Sequence, residues 1–384
     1  MATDLARAQL LTGGEAIVEA MCQIDPDVVP VYPITPQTPI IQGYAKALAD
    51  GRAHGEMINV ESEHSAMSAA IAAAVAGART MTATSSQGLA LMAEVVYIAA
   101  SMRAPVVMAL GNRALSGPIN IHCDHSDSML IRDSGAIQLF AESAQEAYDL
   151  TVLAPRLAEH PDVLLPVIVC VDGFTITHSA EPVYLLDDEQ VRDFVGEYRI
   201  PHPLLDLANP TTQGPFAMPD YYYELRRQQA AAIEAALPVF EQLGTELSLV
   251  TGRDYGCLDA YRLDDAERAL VCLASTAGTA KDVVDELREE GEAVGLLRIC
   301  SYRPFPSVEI RSALAGVDEV VVIDRADSPG GSPPLAVEVA HATGPVESHV
   351  YGLGGRDLHP GDIRAIFAGT APKYVGLRGE TCPA

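Results

Sequence analysis

The chain has 384 residues, of which 48% are hydrophobic and 20% are charged, a composition typical of a folded globular protein and not of a disordered one. Its 52 acidic and 25 basic residues give a net charge of −27. This charge argues against a nucleic-acid-binding protein, which needs a basic face to neutralise phosphates, and against binding to anionic membranes.

The cysteines and the apolar segments indicate the cellular compartment of the protein. Seven cysteines are widely spaced and include no C-x-x-C pair, which disfavours a secreted disulfide framework and an iron–sulfur cluster held by this chain alone. The N-terminal residues lack the basic start and long apolar run of a secretory signal, and the most apolar stretch, 68–78, is too short to span a bilayer. The sequence therefore predicts a cytoplasmic protein.

The first part of the chain alternates short apolar runs with longer helical patterns. Predicted strands lie at 27–32, 57–60, 80–84, 106–110 and 167–171, and predicted helices at 36–49, 63–77, 89–101 and 144–160. This alternation predicts a parallel sheet with helices on both faces and with ligands beyond the carboxyl ends of its strands. We place this first α/β domain at residues 1–200.

A connector and a second α/β domain follow. Residues 201–245 begin with an irregular, proline-rich stretch and continue as an Ala-rich helical pattern at 220–242, which we expect to be kinked or broken near Pro238. The alternation then returns in a smaller domain that we place at 246–384. Its predicted strands lie at 269–274, 293–299, 319–324 and 348–352, and its helices at 279–290, 307–315 and 334–342.

Glu63 is the first candidate site residue. It stands at the predicted start of a helix whose many alanines would let a flat ring or another chain segment approach closely. A carboxylate at this position also complements the helix dipole by about 0.3–1 kcal/mol, so the pattern alone favours a structural role. Glu61, two residues earlier, is the competing candidate.

Thr35 and Arg113 are two further candidates. Thr35 lies in a turn between Pro33 and Pro36 and, taken alone, is typical of a helix N-cap. Arg113 offers a planar fork of donors that suits a carboxylate, although a surface or interface ion pair would explain it equally well.

Two other segments contain residues that could bind a ligand. His122, Asp124, His125 and Asp127 could together bind zinc, although we expect no metal in this chain. The segment Ser275-Thr-Ala-Gly-Thr279 is a strand-to-helix turn that could bind an anion, and a tight structural turn is the more common explanation. It does not match a complete dinucleotide or P-loop motif.

An ordered set of motifs shows a resemblance to a known family. The motifs are, in chain order, Tyr32-Pro-Ile-Thr-Pro36, Glu61-Ser-Glu-His-Ser65, Ser85-Ser-Gln-Gly88, Asn112-Arg-Ala114, Asp124-His-Ser-Asp127, Arg132-Asp133, Asp172-Gly-Phe174 and Tyr302-Arg-Pro-Phe-Pro306. Over essentially its whole length the chain resembles the alpha subunit of the 2-oxoacid:ferredoxin oxidoreductases, most closely the pyruvate:ferredoxin oxidoreductases (pyruvate synthases).

The resemblance implies both a fold and a reaction. The fold is α/β with two parallel-sheet domains, a thiamine-diphosphate pyrimidine-binding domain followed by a transketolase C-terminal-like domain. The reaction is CoA-dependent oxidative decarboxylation of a 2-oxo acid to acyl-CoA and CO2 with electrons passed to ferredoxin, or its reverse. Pyruvate is the expected substrate, and a branched or aryl acid such as 2-oxoisovalerate or phenylglyoxylate is the alternative. An alternative of another class is a non-catalytic assembly subunit.

The resemblance also assigns roles to residues. Glu63 would hydrogen-bond the aminopyrimidine ring of thiamine diphosphate and favour its imino tautomer, which can accept the proton of the thiazolium carbon. Thr35 and Arg113 would bind the 2-oxo acid. Asp172-Gly173 matches only half of the diphosphate motif of thiamine enzymes. Mg2+ and the diphosphate site are therefore expected from a beta subunit. The iron–sulfur clusters are expected in partner subunits as well, among gamma and delta or ferredoxin-like chains.

Overall fold

The protein is described by a computed structural model that covers residues 8–379. The strands are β1 (Ala8–Thr12), β2 (Val28–Val31), β3 (Glu56–Asn59), β4 (Thr80–Thr84), β5 (Val106–Asn112), β6 (Ile137–Phe140), β7 (Val167–Asp172), β8 (Ala180–Tyr184), β9 (Leu258–Tyr261), β10 (Arg268–Leu273), β11 (Val294–Ile299), β12 (Ser301–Arg303), β13 (Glu319–Asp324) and β14 (Glu347–Val350). The α-helices are α1 (Gly13–Ile24), α2 (Thr38–Ala49), α3 (Glu63–Ala76), α4 (Ser86–Ser101), α5 (Ser126–Leu130), α6 (Ala144–Glu159), α7 (Asp188–Val195), α8 (Pro219–Thr251), α9 (Thr276–Glu289), α10 (Ser307–Ala313), α11 (Pro334–Thr343) and α12 (Pro360–Phe367).

A seven-stranded sheet organises the first part of the chain. Its strand order is β12-β6-β7-β5-β4-β2-β3, and every neighbouring pair is parallel except β12 with β6. Strands β4, β5 and β7 are buried along their whole length, as expected for a sheet with helices on both faces. The predicted parallel α/β fold is therefore confirmed.

The helix that begins at Glu63 packs closely because its side chains are small. Ser62 caps α3 by accepting a hydrogen bond from the Ser65 N–H at 3.2 Å, and Gly77 ends the helix in a left-handed conformation. Ala66 and Ala70 are fully buried where α3 meets α4 and the sheet. The small side chains thus hold the N-terminus of α3 close to the carboxyl ends of the strands.

A five-stranded sheet organises the second part. Its order is β14-β13-β10-β11-β9, with β9 antiparallel and the other pairs parallel. From β10 the chain passes through α9 to β11 on one side of that strand and then through α10 to β13 on the other side. Strand β12 leaves this unit and joins the edge of the first sheet beside β6, so the two parts of the chain share a strand pairing.

Helix α8 differs from its sequence prediction. The sequence predicted a kink or a break near Pro238, and the helix runs without a break from Pro219 to Thr251. Its buried residues, among them Ala236 and Phe240, pack where α8 meets α6, and this packing offsets the backbone donor that proline lacks. Among residues 8–379 no helix, including this long one, is apolar enough over sufficient length to cross a membrane.

Candidate active site

The three predicted site residues lie at one edge of the seven-stranded sheet. Thr35 follows β2, Glu63 begins α3 after β3, and Arg113 directly follows β5. Strands β3, β2, β4 and β5 are consecutive in the sheet. The structure therefore brings all three residues to the carboxyl ends of adjacent parallel strands, where α/β proteins bind ligands.

Glu63 is a buried carboxylate with polar neighbours. It is 8% exposed and lies beside Gly88 of α4, where an added Cβ atom would be 2.9 Å from Glu63 Oε1 and 2.4 Å from Thr84 Oγ1. The side-chain atoms Thr84 Oγ1, Ser85 Oγ and Gln87 Nε2 are buried without a hydrogen-bond partner. Because such groups are costly to bury unpaired, this edge of the sheet is suited to a ligand with several polar ring atoms.

The structure separates Glu63 from its competitor, Glu61. Glu61 is exposed, and its carboxylate accepts a hydrogen bond from the Ser65 hydroxyl, which lowers its pKa. A carboxylate in solvent needs no ligand to offset its desolvation. Glu63 is thus the member of the pair that faces the site.

Arg113 and Thr35 lie against each other. Arg113 is 6% exposed; its Nε donates to the Asn120 carbonyl at 2.7 Å and its Nη1 to the Thr35 carbonyl at 3.0 Å. Burial lowers the pKa of the Arg113 guanidinium. Thr35 is exposed and is not a helix cap, because α2 begins at Thr38 with Gln37 as its N-cap. The N-cap interpretation of Thr35 is therefore wrong.

Asp127 connects the Glu63 side of the site with the Arg113 side. Its Oδ2 accepts hydrogen bonds from the backbone N–H groups of Ser86 (3.0 Å) and Arg113 (2.9 Å). Its Oδ1 accepts from Asn112 Nδ2 (2.9 Å) and from the Ser128 N–H (2.8 Å). Burial raises the pKa of Asp127 to about 6, and the hydrogen bonds oppose that rise. One carboxylate thus fixes the start of α4 against the end of β5. The sequence indicated Asp127 as part of a family motif and as a possible metal ligand, but not this bridging role.

The four side chains considered for zinc at 122–127 do not form one metal site. His125 Nε2 instead lies 2.7 Å from Asp172 Oδ1. Within the described residues, the one group with metal-binding spacing joins Cys123, His125 and Asp172. Arg325 Nη1 lies 2.9 Å from that aspartate, and a guanidinium so close to the carboxylate repels a cation. The cluster is an ion-pair network.

Asp172 joins the two parts of the chain. Besides Arg325, its carboxylate accepts hydrogen bonds from the N–H and hydroxyl of Ser275. Burial alone would raise the pKa of Asp172, but the charges of Arg325 and His125 hold it well below the usual range. Sequence reasoning missed this role because Ser275 and Arg325 lie 103 and 153 residues further along the chain.

Comparison with protein families covers most of the chain. The profile described as pyruvate flavodoxin/ferredoxin oxidoreductase, thiamine diphosphate-binding, matches residues 19–244. The profile for the pyruvate:ferredoxin oxidoreductase core domain II matches residues 266–363. The first match places Thr35, Glu63 and Arg113 inside a thiamine diphosphate-binding domain.

Similar proteins agree with these profiles. The pyruvate synthase subunit PorA of Thermotoga maritima is 54% identical over 382 residues, covering 96% of this chain and 97% of the relative. The alpha subunit of the NADH-dependent phenylglyoxylate dehydrogenase of Aromatoleum evansii is 38% identical, with 97% and 93% covered.

Solved structures agree on the fold. The 2-oxoglutarate:ferredoxin oxidoreductase from Magnetococcus marinus, solved with 2-oxoglutarate, coenzyme A and succinyl-CoA bound, has a TM-score of 0.75 at 20% identity. The similarity covers 95% of this chain but only 65% of that longer one. A split-gene transketolase has a TM-score of 0.55 at 13% identity, with 93% of this chain and 96% of that chain covered. The resemblance inferred from the motifs is therefore confirmed, and the chain belongs to the pyruvate flavodoxin/ferredoxin oxidoreductase family.

Proposed function

We propose that this chain is the alpha subunit of a heteromeric, thiamine-diphosphate-dependent 2-oxoacid:ferredoxin oxidoreductase that acts on pyruvate. The reaction is CoA-dependent oxidative decarboxylation to acyl-CoA and CO2 with electrons passed to ferredoxin, or its reverse. The observation that carries the proposal is the position of buried Glu63 at the same sheet edge as Thr35 and Arg113. Relatives called pyruvate synthase at up to 54% identity support pyruvate as the substrate.

Glu63, Thr35 and Arg113 would each have a different role in the site. Glu63 would hold the pyrimidine ring and keep its amino group in the tautomer that accepts a proton. The unpartnered Thr84 Oγ1 close to Glu63, and Ser85 Oγ at the same edge of the sheet, fit a polar ring of this kind. When bound, thiamine diphosphate supplies the carbon nucleophile for the 2-oxo acid. Arg113 would bind the substrate carboxylate, and the Thr35 hydroxyl would donate to a substrate oxygen.

The remaining parts of the machinery would belong to partner subunits. Asp172 of the half diphosphate motif is already paired with Arg325 and Ser275, which supports a beta subunit as the source of the Mg2+ and diphosphate site. We assign the iron–sulfur clusters to partners, among them gamma and delta or ferredoxin-like subunits. The described cysteines of this chain are buried free thiols dispersed over its two parts. We place the complex in the cytoplasm, as the sequence predicts.

Substitution of Glu63 tests the proposal. In the assembled complex, Glu63→Gln should lower pyruvate- and CoA-dependent viologen reduction by about 100-fold or more, because the variant cannot promote the proton transfer. Glu61→Gln is the matched control, since Glu61 is exposed, and it should keep the activity of the unsubstituted complex. Full activity of the Glu63 variant would contradict the assignment and favour a non-catalytic assembly subunit.

An aryl 2-oxo acid is the second candidate substrate. It is favoured by the phenylglyoxylate dehydrogenase alpha subunit at 38% identity. A panel of pyruvate, 2-oxoisovalerate and phenylglyoxylate, assayed by viologen reduction with the complete complex, separates the candidates. The highest kcat/KM with pyruvate supports our choice, and a higher value with either of the other acids overturns it.

A further inference from the structure

The second sheet has a topological switch point of its own. The chain leaves β10 toward β11 on one side and returns to β13 on the other. Open parallel sheets bind ligands at such a switch point, beyond the carboxyl ends of the two strands. Here those ends carry Ser275 after β10 and Arg325 after β13.

A cavity of about 200 Å³ lies at this switch point. The first turn of α9 lines it with Ser275, Thr276 and Thr279. At the start of this 14-residue helix the Ser275 N–H already donates to Asp172, and the Ala277 and Gly278 N–H groups donate to backbone carbonyls. The Thr276 N–H is left for an anion, at the positive end of the helix dipole. This is the turn that the sequence indicated as a possible anion site.

Arg325 gives the cavity a second and independent feature. It lines the cavity and is only 8% exposed. One guanidinium nitrogen, Nη1, donates to Asp172, whereas Nε is buried without a hydrogen-bond partner. A buried arginine with an unused donor is costly in the absence of a ligand. Its planar fork suits the oxygens of a phosphate group.

An apolar compartment adjoins this polar cavity. It has a volume of about 220 Å³ and is lined by Val350, Leu353, Tyr374 and Leu377. Arg356 and Tyr351 line both compartments, so the two lie side by side. Taken together they reach the range of roughly 300–1,000 Å³ that is typical of small-molecule sites.

The charges around the two compartments favour a phosphate over a larger polyanion. Arg325 and Arg356 are positive, and the carboxylates of Asp172 and Asp357 oppose them. Asp357 is exposed at the rim, where solvent and salt screen it. Asp172 is already engaged by Arg325, His125 and Ser275. Arg356 and the partial positive charge at the start of α9 are then the groups available to a single phosphate.

We propose that this crevice binds a mononucleotide, with its phosphate between the first turn of α9 and Arg325 and its base in the apolar compartment. Thr35, Glu63 and Arg113 do not line this cavity, and the nucleotide site does not depend on the function proposed for them. Its chemistry is that of a phosphate group attached to a flat, weakly polar ring.

Calorimetric titration of the assembled complex with AMP, inorganic phosphate and adenosine tests the proposal. AMP should bind most tightly, because only AMP fills both compartments. Thr279→Asp should lower the AMP affinity by about tenfold or more, because its carboxylate repels the phosphate while still complementing the helix dipole. Thr279→Ser is the matched control and should bind AMP like the unsubstituted complex.

A second variant tests the apolar compartment. Leu377→Ser should weaken AMP binding and leave phosphate binding unchanged, since Leu377 lines only that compartment. The KM for coenzyme A should be unchanged in both variants, which distinguishes this crevice from a nucleotide site elsewhere in the complex. Absence of AMP binding at millimolar concentration, or AMP binding that is insensitive to Thr279→Asp, would overturn the proposal.

Discussion

At the scale of single residues, the candidate site depends on the space that Gly88 leaves open. Glu63 and Thr84 approach the backbone of α4 so closely that no side chain fits between them at this position. The requirement is steric, because Gly88 does not have the positive φ angle that would itself favour glycine. The Ser85-Ser-Gln-Gly88 motif thus has a physical meaning: its glycine lets the carboxylate reach its working position.

Gly88→Ala should therefore displace the Glu63 carboxylate. The added Cβ atom would lie 2.4 Å from Thr84 Oγ1 and 2.8 Å from Glu63 Cγ, both below contact distance. We expect pyruvate-dependent activity of the complex to fall by about 10- to 100-fold, because moving a catalytic group by about 1 Å lowers the rate by a factor of this size. Gly361→Ala is the control, since a Cβ there meets no atom within 4 Å. Equal activities of the two variants would contradict this account.

Arg113→Lys should affect substrate binding more than the chemical step. Lysine cannot reproduce the planar fork that contacts the Asn120 and Thr35 carbonyls. The loss of a charge-assisted hydrogen bond of about 1.5–3 kcal/mol should raise the KM for pyruvate by roughly 10- to 100-fold. The KM for coenzyme A, measured in the same complex, is the internal control. An unchanged KM for pyruvate would remove Arg113 from the substrate site.

At the scale of elements, α3 is positioned by its cap and its small side chains. The Ser62 side chain accepts the Ser65 N–H at the end of the helix where Glu63 lies. Ser62→Ala should lower the free energy of unfolding by about 0.5–2 kcal/mol, as the loss of an N-cap does. Urea unfolding measures this difference. Ser101→Ala, at the exposed C-terminal end of α4, is the control and should change stability by less than about 0.5 kcal/mol.

The helices and strands that were predicted from the sequence are those whose own residues show a clear apolar pattern. Strands 80–84 and 319–324 were predicted with the bounds that the structure gives them. Helix α1 was missed because Gly13 and Gly14 resemble a turn, whereas they allow close contact with the backbone at 176–177. Strand β12 is three residues long, and its pairing with β6 depends on tertiary contact alone. Local pattern cannot predict such elements.

The candidate site, too, was predicted only in part from the sequence. Glu63, Thr35 and Arg113 came from ordered motifs, and the structure gathers them because each follows a strand of one sheet. The bridging role of Asp127 and the partners of Asp172 could not be predicted. They depend on which loops meet in the folded protein. Asp172 and Arg325 are 153 residues apart along the chain, and no repeating sequence pattern indicates that they pair.

In the complete chain, the Asp172 carboxylate joins the first part to the second through its bonds to Ser275 and Arg325. Asp172→Asn would leave Arg325 buried without its charged partner. Breaking a buried pair in this way costs about 3–5 kcal/mol, so the free energy of unfolding should fall by this amount. Asp133→Asn is the control, because Asp133 is 70% exposed and lies 3.7 Å from Arg303; an exposed pair contributes about 0–1 kcal/mol.

The same ion pair predicts how stability depends on pH. The folded protein holds the pKa of Asp172 well below its ordinary value of 3.8. The stabilisation is therefore fully present above that value and is lost as the pH falls through it toward the folded pKa, because the unfolded chain binds the proton first. Urea unfolding between pH 7 and pH 3 should show the unsubstituted protein losing more stability than Asp172→Asn, so that their difference narrows below about pH 4. A difference that stays constant down to pH 3 would mean that Arg325 is stabilised by other groups and that Asp172 does not hold the two parts together by its charge.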